Sequence, residues 1–73
     1  MPADRVAAEP FRVIARSGLR MRSGPGVEFD IIGNLALDQT VFVSSVNNGW
    51  ARVDIQGDGR VDGFASANFL ERM

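Results

Sequence analysis

The sequence contains no cysteine, no histidine and no tyrosine, and it has a single tryptophan. Without cysteine the chain cannot form a disulfide, and without histidine as well it lacks the usual ligands of zinc sites. The same absences remove the cysteine–histidine and serine–histidine pairs of nucleophilic catalysis, and no serine has an evident base partner. The sequence therefore predicts a protein that is not an enzyme and that has no cofactor and no metal site.

Long apolar runs are also missing, and none approaches the roughly 20 residues that a transmembrane helix requires. The N-terminus lacks the charged region followed by an apolar stretch that marks a signal peptide. We therefore expect no membrane insertion. Two interpretations of the location stay open, a cytoplasmic protein or a domain cut from a longer exported chain.

Lysine is absent too, so all eight basic residues are arginines against nine acidic residues, and the formal net charge is −1. This balance argues against nucleic acid as a partner, although a weak alternative would bind it through Arg12, Arg20 and Arg22. Such arginines either form solvated strand faces or make a patch for a carboxylate-bearing ligand. The early arginines are Arg12, Arg16, Arg20 and Arg22.

The 73 residues suffice for one small domain. A chain of this size buries about 60% of its unfolded surface, so its stability margin is thin. Residues 1–10 contain three charged residues and three alanines and end in a proline, which predicts a flexible lead-in or linker. Residues 11–73 form the predicted domain. Alternating apolar positions separated by turn signals predict short strands at residues 11–16, 19–22, 31–35, 40–46, 50–55 and 61–66.

Asn47, Asn48 and Gly49 predict a tight hairpin, because these residue types tolerate positive φ. A second hairpin turn is predicted at residues 56–60, and residues 67–70 predict a single helical turn that is too short for a strand pair. The alternation of the strands predicts a core, and it places Trp50 on the outer face with Arg52 and Asp54. The predicted core residues are Leu19, Met21, Leu35, Val41, Val43, Val53 and Leu70.

Five short motifs follow one another along the chain. They are Leu-x-x-Arg-Ser-Gly-Pro-Gly at residues 19–26, Ile-Gly-x-Leu at 32–35, Val-x-Val at 41–43, Gly-Trp-x-x-Val at 49–53, and a Gly-aromatic pair followed by Ser-x-x-aromatic-Leu at 63–70. In this order and spacing, the chain resembles the bacterial SH3 domain family. The resemblance implies a small all-β, SH3-like barrel of five to six short strands with a terminal single helical turn. Phe64 and Phe69 depart from the tryptophan and tyrosine usual at these positions.

The resemblance implies a non-catalytic binding module that recognises peptidoglycan stem peptides or another extended peptide. Such a module would tether a larger protein of the bacterial envelope, in the periplasm or outside the cell if the parent chain is exported. The alternative is a structural or assembly module that docks a neighbouring domain or subunit. Ser66 stands where related eukaryotic domains carry a groove proline, which argues against polyproline recognition.

The candidate ligand-binding residues lie in two places, the loop after residue 22 and the region around the tryptophan. Trp50 either covers the barrel flank or offers a ligand a rigid apolar plate. Arg22 would provide a forked donor for a carboxylate, with exposed backbone around the loop glycines. The full predicted set is Arg22, Ser23, Gly24, Gly26, Phe29, Trp50, Asn68 and Phe69.

Residues 54–65 partly match a calcium-binding loop. Oxygen-bearing side chains occupy positions one, three, five and nine of such a loop, and Gly59 occupies position six. Position three is glutamine, however, and position twelve is Ala65, where a bidentate acid is needed. We therefore favour a plain hairpin turn over a metal loop.

Overall fold

The computed structural model describes residues 8–73, which form a small all-β domain with one short 3-10 turn, as predicted. The turn, Ala67–Phe69, lies directly before the last strand. The structure has seven strands, where the sequence predicted five to six. They are β1 (Glu9–Val13), β2 (Leu19–Arg22), β3 (Ile31–Leu35), β4 (Thr40–Asn47), β5 (Trp50–Asp54), β6 (Gly63–Ser66) and β7 (Leu70–Arg72).

The strands form one antiparallel sheet in the order β3-β2-β6-β5-β4-β1-β7. The register shifts within β2–β3 and within β4–β5, and such bulges increase the local bend and twist of a sheet. The inner faces of the strands surround a common core. Among the described residues, β3 and β7 are the two edge strands of the sheet and do not pair with each other. The sheet curls around the core without a β3–β7 ladder.

The core contains apolar side chains from every strand. All seven predicted core residues are buried, which confirms that part of the sequence reasoning. Val13 and Val41 are fully buried, as are Leu35 and Val53, so these four aliphatic side chains form the centre. The buried apolar residues outside the predicted set are Val13, Ala15, Ala51 and Ala65.

The hairpin between β4 and β5 has the predicted turn. Asn48 has φ +52° and Gly49 has φ +83° between the paired residues Asn47 and Trp50. Two consecutive positive φ values characterise the two-residue turn whose twist matches the flanking strands. This turn places Trp50 at the very start of β5.

The first strand begins earlier than predicted, at Glu9, and ends at Val13 instead of residue 16. Pro10 is therefore inside the strand, opposite Phe42 of β4. Its carbonyl accepts the N–H of Met73, so its missing N–H would face β7 and not β4. The proline thus leaves the β1–β4 hydrogen bonds intact. The rest of the predicted lead-in, residues 1–7, lies outside the described residues.

The last strand was missed by sequence reasoning, which expected residues 67–70 to form only a helical turn. The turn ends at Phe69, and Leu70 begins β7, where it pairs with Val13 of β1. This pairing joins residues that are far apart in the sequence, so no local pattern predicts it. Within residues 8–73 no helix has the length and hydropathy needed to cross a bilayer.

Candidate functional site

The loop between β2 and β3 is organised by the side chain of Arg22. Its Nη1 atom donates hydrogen bonds to the carbonyl oxygens of Val27 (3.0 Å) and Phe29 (2.9 Å). The N–H of Ser23 donates to the carbonyl of Asp30 at 2.9 Å, which closes the loop at its base. Arg22 is thus in part a structural residue, because one arm of its guanidinium fixes the loop. Its other nitrogen donors make no hydrogen bond to the described residues and stay free for a ligand.

Gly24 and Gly26 lie inside this loop and are buried, whereas the sequence reasoning expected exposed backbone there. The Phe29 ring packs over Gly24 so closely that an added Cβ would lie 2.5 Å from it. The carbonyl of Gly24 accepts the N–H of Gly26, and the carbonyl of Gly26 accepts the N–H of Phe29. The loop thus folds back on its own glycines, which is the physical reason why they are buried.

A groove of about 590 Å³ opens between the outer face of β2 and the start of β5. We call it the Trp50 groove. Trp50 is half-buried in it, and Phe69 of the 3-10 turn is 47% exposed beside it. The other lining residues are Ser17, Gly18, Leu19, Arg20, Arg22, Val27, Asn34 and Ser66.

Three of the eight sequence-predicted site residues line this groove: Arg22, Trp50 and Phe69. The structure places these three together although they come from three separate elements. The other five do not line it, because they belong to the closed loop or project from the 3-10 turn. They are Ser23, Gly24, Gly26, Phe29 and Asn68. Direct contact of any of the eight with a ligand stays a prediction.

Sequence reasoning missed several residues of the groove. Arg20 shares the outer face of β2 with Arg22, so strand alternation alone was a sufficient signal for it. Ser66 lies directly opposite Trp50 in the β5–β6 ladder, and Asn34 lies opposite Arg20 in the β2–β3 ladder. Both required knowledge of the strand pairing, which the sequence does not provide.

The chemistry of the Trp50 groove is that of recognition. Trp50 and Phe69 offer flat apolar surface, while Arg20 and Arg22 offer forked donors that match carboxylates. The amide of Asn34 can both donate to and accept from a peptide backbone. The residues that line the groove include no carboxylate, so the lining holds no side chain suited to act as a general base.

The loop between β5 and β6 is held by Asp54, which was predicted on the solvent side but is only 3% exposed. Its Oδ1 accepts the N–H of Gly57 at 2.8 Å and that of Asp58 at 3.4 Å, and its Oδ2 accepts the N–H of Gly59 at 2.8 Å. The carboxylate is buried because the loop folds back over it. Strand alternation could not reveal this, since it does not describe where a loop goes.

These hydrogen bonds also determine the ionisation of Asp54. Burial of the carboxyl raises its pKa, but the N–H groups of Gly59, Gly57 and Asp58 outweigh this effect and lower the pKa of Asp54 below its ordinary value. Asp54 is therefore a charged structural residue at neutral pH.

The remaining carboxylates of this loop are also engaged. Asp62 Oδ2 accepts the N–H of Ile55, and Asp58 Oδ1 accepts the N–H of Arg60. Across the part of the chain that the structure describes, no group of three or more such side chains could hold a metal ion. The geometry is that of a hairpin loop, which runs from Ile55 to Asp62 and is longer than the predicted turn.

The chain matches the model of a known protein family. Residues 17–71 match the family model described as bacterial SH3 domain, and this range covers all the elements from β2 to the middle of β7. No curated protein sequence matches the chain. The family match covers well over half of the chain and agrees with the observed all-β fold. The chain therefore belongs to the bacterial SH3 domain family, whose members are generally non-catalytic binding modules.

Proposed function

We propose that this domain binds an extended peptide in the Trp50 groove and is not catalytic. The observation that carries the proposal is the convergence of two aromatic side chains, Trp50 and Phe69, with two guanidinium groups, Arg20 and Arg22, in one groove. A rigid apolar plate next to forked cationic donors suits a peptide that carries both apolar and carboxylate groups.

Peptidoglycan stem peptides are the first candidate ligands, because the bacterial family suggests this class. The module would then tether a larger envelope protein, in the periplasm or outside the cell. Its own affinity would be modest, since a shallow groove of this size buries little area. Tethering would act by raising the local concentration of the attached partner at the wall.

The alternative is a structural module that docks a neighbouring domain or subunit. The observation in its favour is the exposure of apolar groups beside Trp50, since Val27 is 73% exposed and Phe69 is 47% exposed. In that case the same surface would be covered by protein, and removing Trp50 would disturb assembly instead of peptide binding.

The experiment is a titration of the domain with short muropeptide fragments while backbone amide shifts are recorded. We expect perturbation at Arg20, Arg22, Trp50 and Phe69, with the 57–60 turn spared. Trp50→Ala should weaken binding about 30-fold or more, as loss of a central aromatic anchor does. The barrel should stay folded, because Trp50 is outside the buried core.

Ile32→Ala provides the control, because Ile32 is an exposed apolar residue on β3 that does not line the groove. It should bind the fragments like the native domain. Shifts confined to the 57–60 turn, or a folded Trp50→Ala domain that binds normally, would contradict the proposal. A Trp50→Ala domain that unfolds would instead favour the structural alternative.

A further inference from the structure

A second groove, of about 820 Å³, lies on the same outer face of the sheet as the Trp50 groove. We call it the Arg52 groove. Its lining includes Phe42 and Ser45 of β4, Arg52 of β5, and Arg60 and Val61 of the β5–β6 loop. The Arg52 groove shares no lining residue with the Trp50 groove, so the peptide site proposed above does not include it.

The two grooves are neighbours along β5. Trp50 and Arg52 are alternate residues of the strand, so their side chains share one face, about 7 Å apart along the chain. Arg52 lies opposite Ser45 of β4 and Phe64 of β6. Phe64 in turn lies opposite Arg22 of β2. Phe64 therefore stands between Arg22 of the Trp50 groove and Arg52 of the Arg52 groove. A single extended ligand can therefore contact both grooves without leaving the sheet.

Unpaired positive charge is concentrated on this face. Arg12 and Arg72 form ion pairs with Asp38, Glu71 and Glu9. The other arginines of residues 8–73 make no ion pair with a described acid. They are Arg16, Arg20, Arg22, Arg52 and Arg60, and all but Arg16 line one of the two grooves.

The acids of the Arg52 groove do not cancel this charge fully. Asp54 is buried and directs its carboxylate at the backbone N–H groups of the loop, as described above. Asp58 is exposed, and its Oδ1 accepts the N–H of Arg60. Two carboxylates, of which only that of Asp58 is exposed, thus lie among four guanidinium groups of the combined surface. The surface therefore keeps an excess of positive charge, which makes it complementary to an acidic ligand.

The far wall of the Arg52 groove is held in place by contacts within the chain. Asp54 fixes the Gly57–Gly59 segment, and Gly57 lies so close to the Phe42 ring that an added Cβ would be 3.0 Å from it. A preformed wall lowers the conformational cost of binding. The loop therefore presents Arg60 and Val61 from a fixed support.

We propose that the two grooves form one binding track for an acidic extended peptide, with carboxylates that meet Arg20 or Arg22 at one end and Arg52 at the other. The proposal rests on the peptide-binding function for its Trp50 end. It adds that the ligand is longer than the Trp50 groove and carries at least two carboxylates. Arginine suits this role, because its fork binds a carboxylate through two parallel hydrogen bonds.

The test uses two capped hexapeptides, one of alternating glutamate and alanine and one with glutamine in place of glutamate. Capping removes the terminal charges, so the glutamine peptide is neutral and the glutamate peptide is charged only at its side chains. With the glutamate peptide we expect amide shifts in both grooves, including Ser45 and Arg52. The glutamine peptide should shift the Trp50 groove alone and bind more weakly.

Arg52→Gln should weaken the glutamate peptide about three- to tenfold and leave the glutamine peptide unchanged. Arg16→Gln is the matched control, because it removes the same charge from an exposed arginine that lines neither groove. It should change the affinity less than twofold, because Arg16 is solvent-exposed and its charge is screened by salt.

Three results would overturn the track while leaving the Trp50 groove in place as a peptide site: equal binding of the two peptides there, equal effects of Arg52→Gln and Arg16→Gln, or no shifts at Arg52. A single-stranded oligothymidylate that matched the glutamate peptide in affinity would identify a phosphate site and would also overturn it. Failure of both hexapeptides and of muropeptides to shift the Trp50 groove would instead refute the peptide-binding function and the track together.

Discussion

Replacing Val53 with alanine tests whether the centre of the core is where the structure places it. Val53 is 0% exposed and lies between Val43 of β4 and Gly63 of β6. The substitution removes two methyl groups, each worth about 0.8 kcal/mol of transfer free energy. A residual cavity adds to this loss, so the free energy of unfolding should fall by about 2–3 kcal/mol.

A loss of this size is large for so small a domain. A chain of this length has a total stability of roughly 4–11 kcal/mol at the usual values per residue. A domain of this size loses about 4–8 °C of Tm per kcal/mol, so the Tm should fall by about 8–24 °C. Thermal unfolding followed by circular dichroism, together with urea titration, would measure both quantities.

Val46→Ala is the matched control for this substitution. Val46 is also a strand residue, paired with Ala51, but it is 48% exposed. The same methyl groups are removed and the same strand propensity is lost, so the two variants differ mainly in burial. We expect Val46→Ala to cost less than about 1 kcal/mol. Equal losses for the two variants would refute the placement of Val53 in the core.

Three further predictions concern the β-turns and the loop charge. The pKa of Asp54 in the folded state is below its ordinary 3.8, so the ionised carboxylate contributes its full stabilisation above that pH. This stabilisation is lost as the pH falls through the lowered pKa. The Tm, measured from about pH 6 downward, should therefore fall on acidification, and it should fall less for Asp54→Asn. Calcium and chelator should both leave the Tm unchanged, and a calcium-dependent rise would revive the metal loop. Gly49→Ala should lower the free energy of unfolding in urea by about 1 kcal/mol, because Gly49 has φ +83°, which alanine adopts only with strain. An added Cβ would meet no atom within 4 Å, so a larger loss would contradict this account.

Only part of the candidate site could be predicted from the sequence. Trp50 was expected on the outer face from its strand neighbours, and the structure places it outside the core beside Ser66 and Asn47. Phe69 was expected to share a surface with Trp50 from the family resemblance, and Arg22 was expected to contact the same ligand from the loop as a donor to a carboxylate. All three line one groove. Arg20 was within reach of the same alternation argument and was not chosen.

Features that depend on neighbours along the chain were predictable from the amino-acid sequence. Alternation specified the buried faces of β2 and β4, and Asn48-Gly49 specified a hairpin because few other residue pairs adopt two positive φ values cheaply. The extents of β2 and β3 were also predicted, since turn residues bound both strands.

The tertiary structure alone decided what depends on residues that are distant in sequence. Leu70 became part of a strand because Val13 of β1 was there to pair with it. Asp54 became buried because the loop after it folded back over it. The N–H donors of this loop offset the free-energy cost of burying the carboxylate charge. The two grooves likewise exist only because the strand order brings β2, β6, β5 and β4 side by side, and pairing order is a property of the whole sheet.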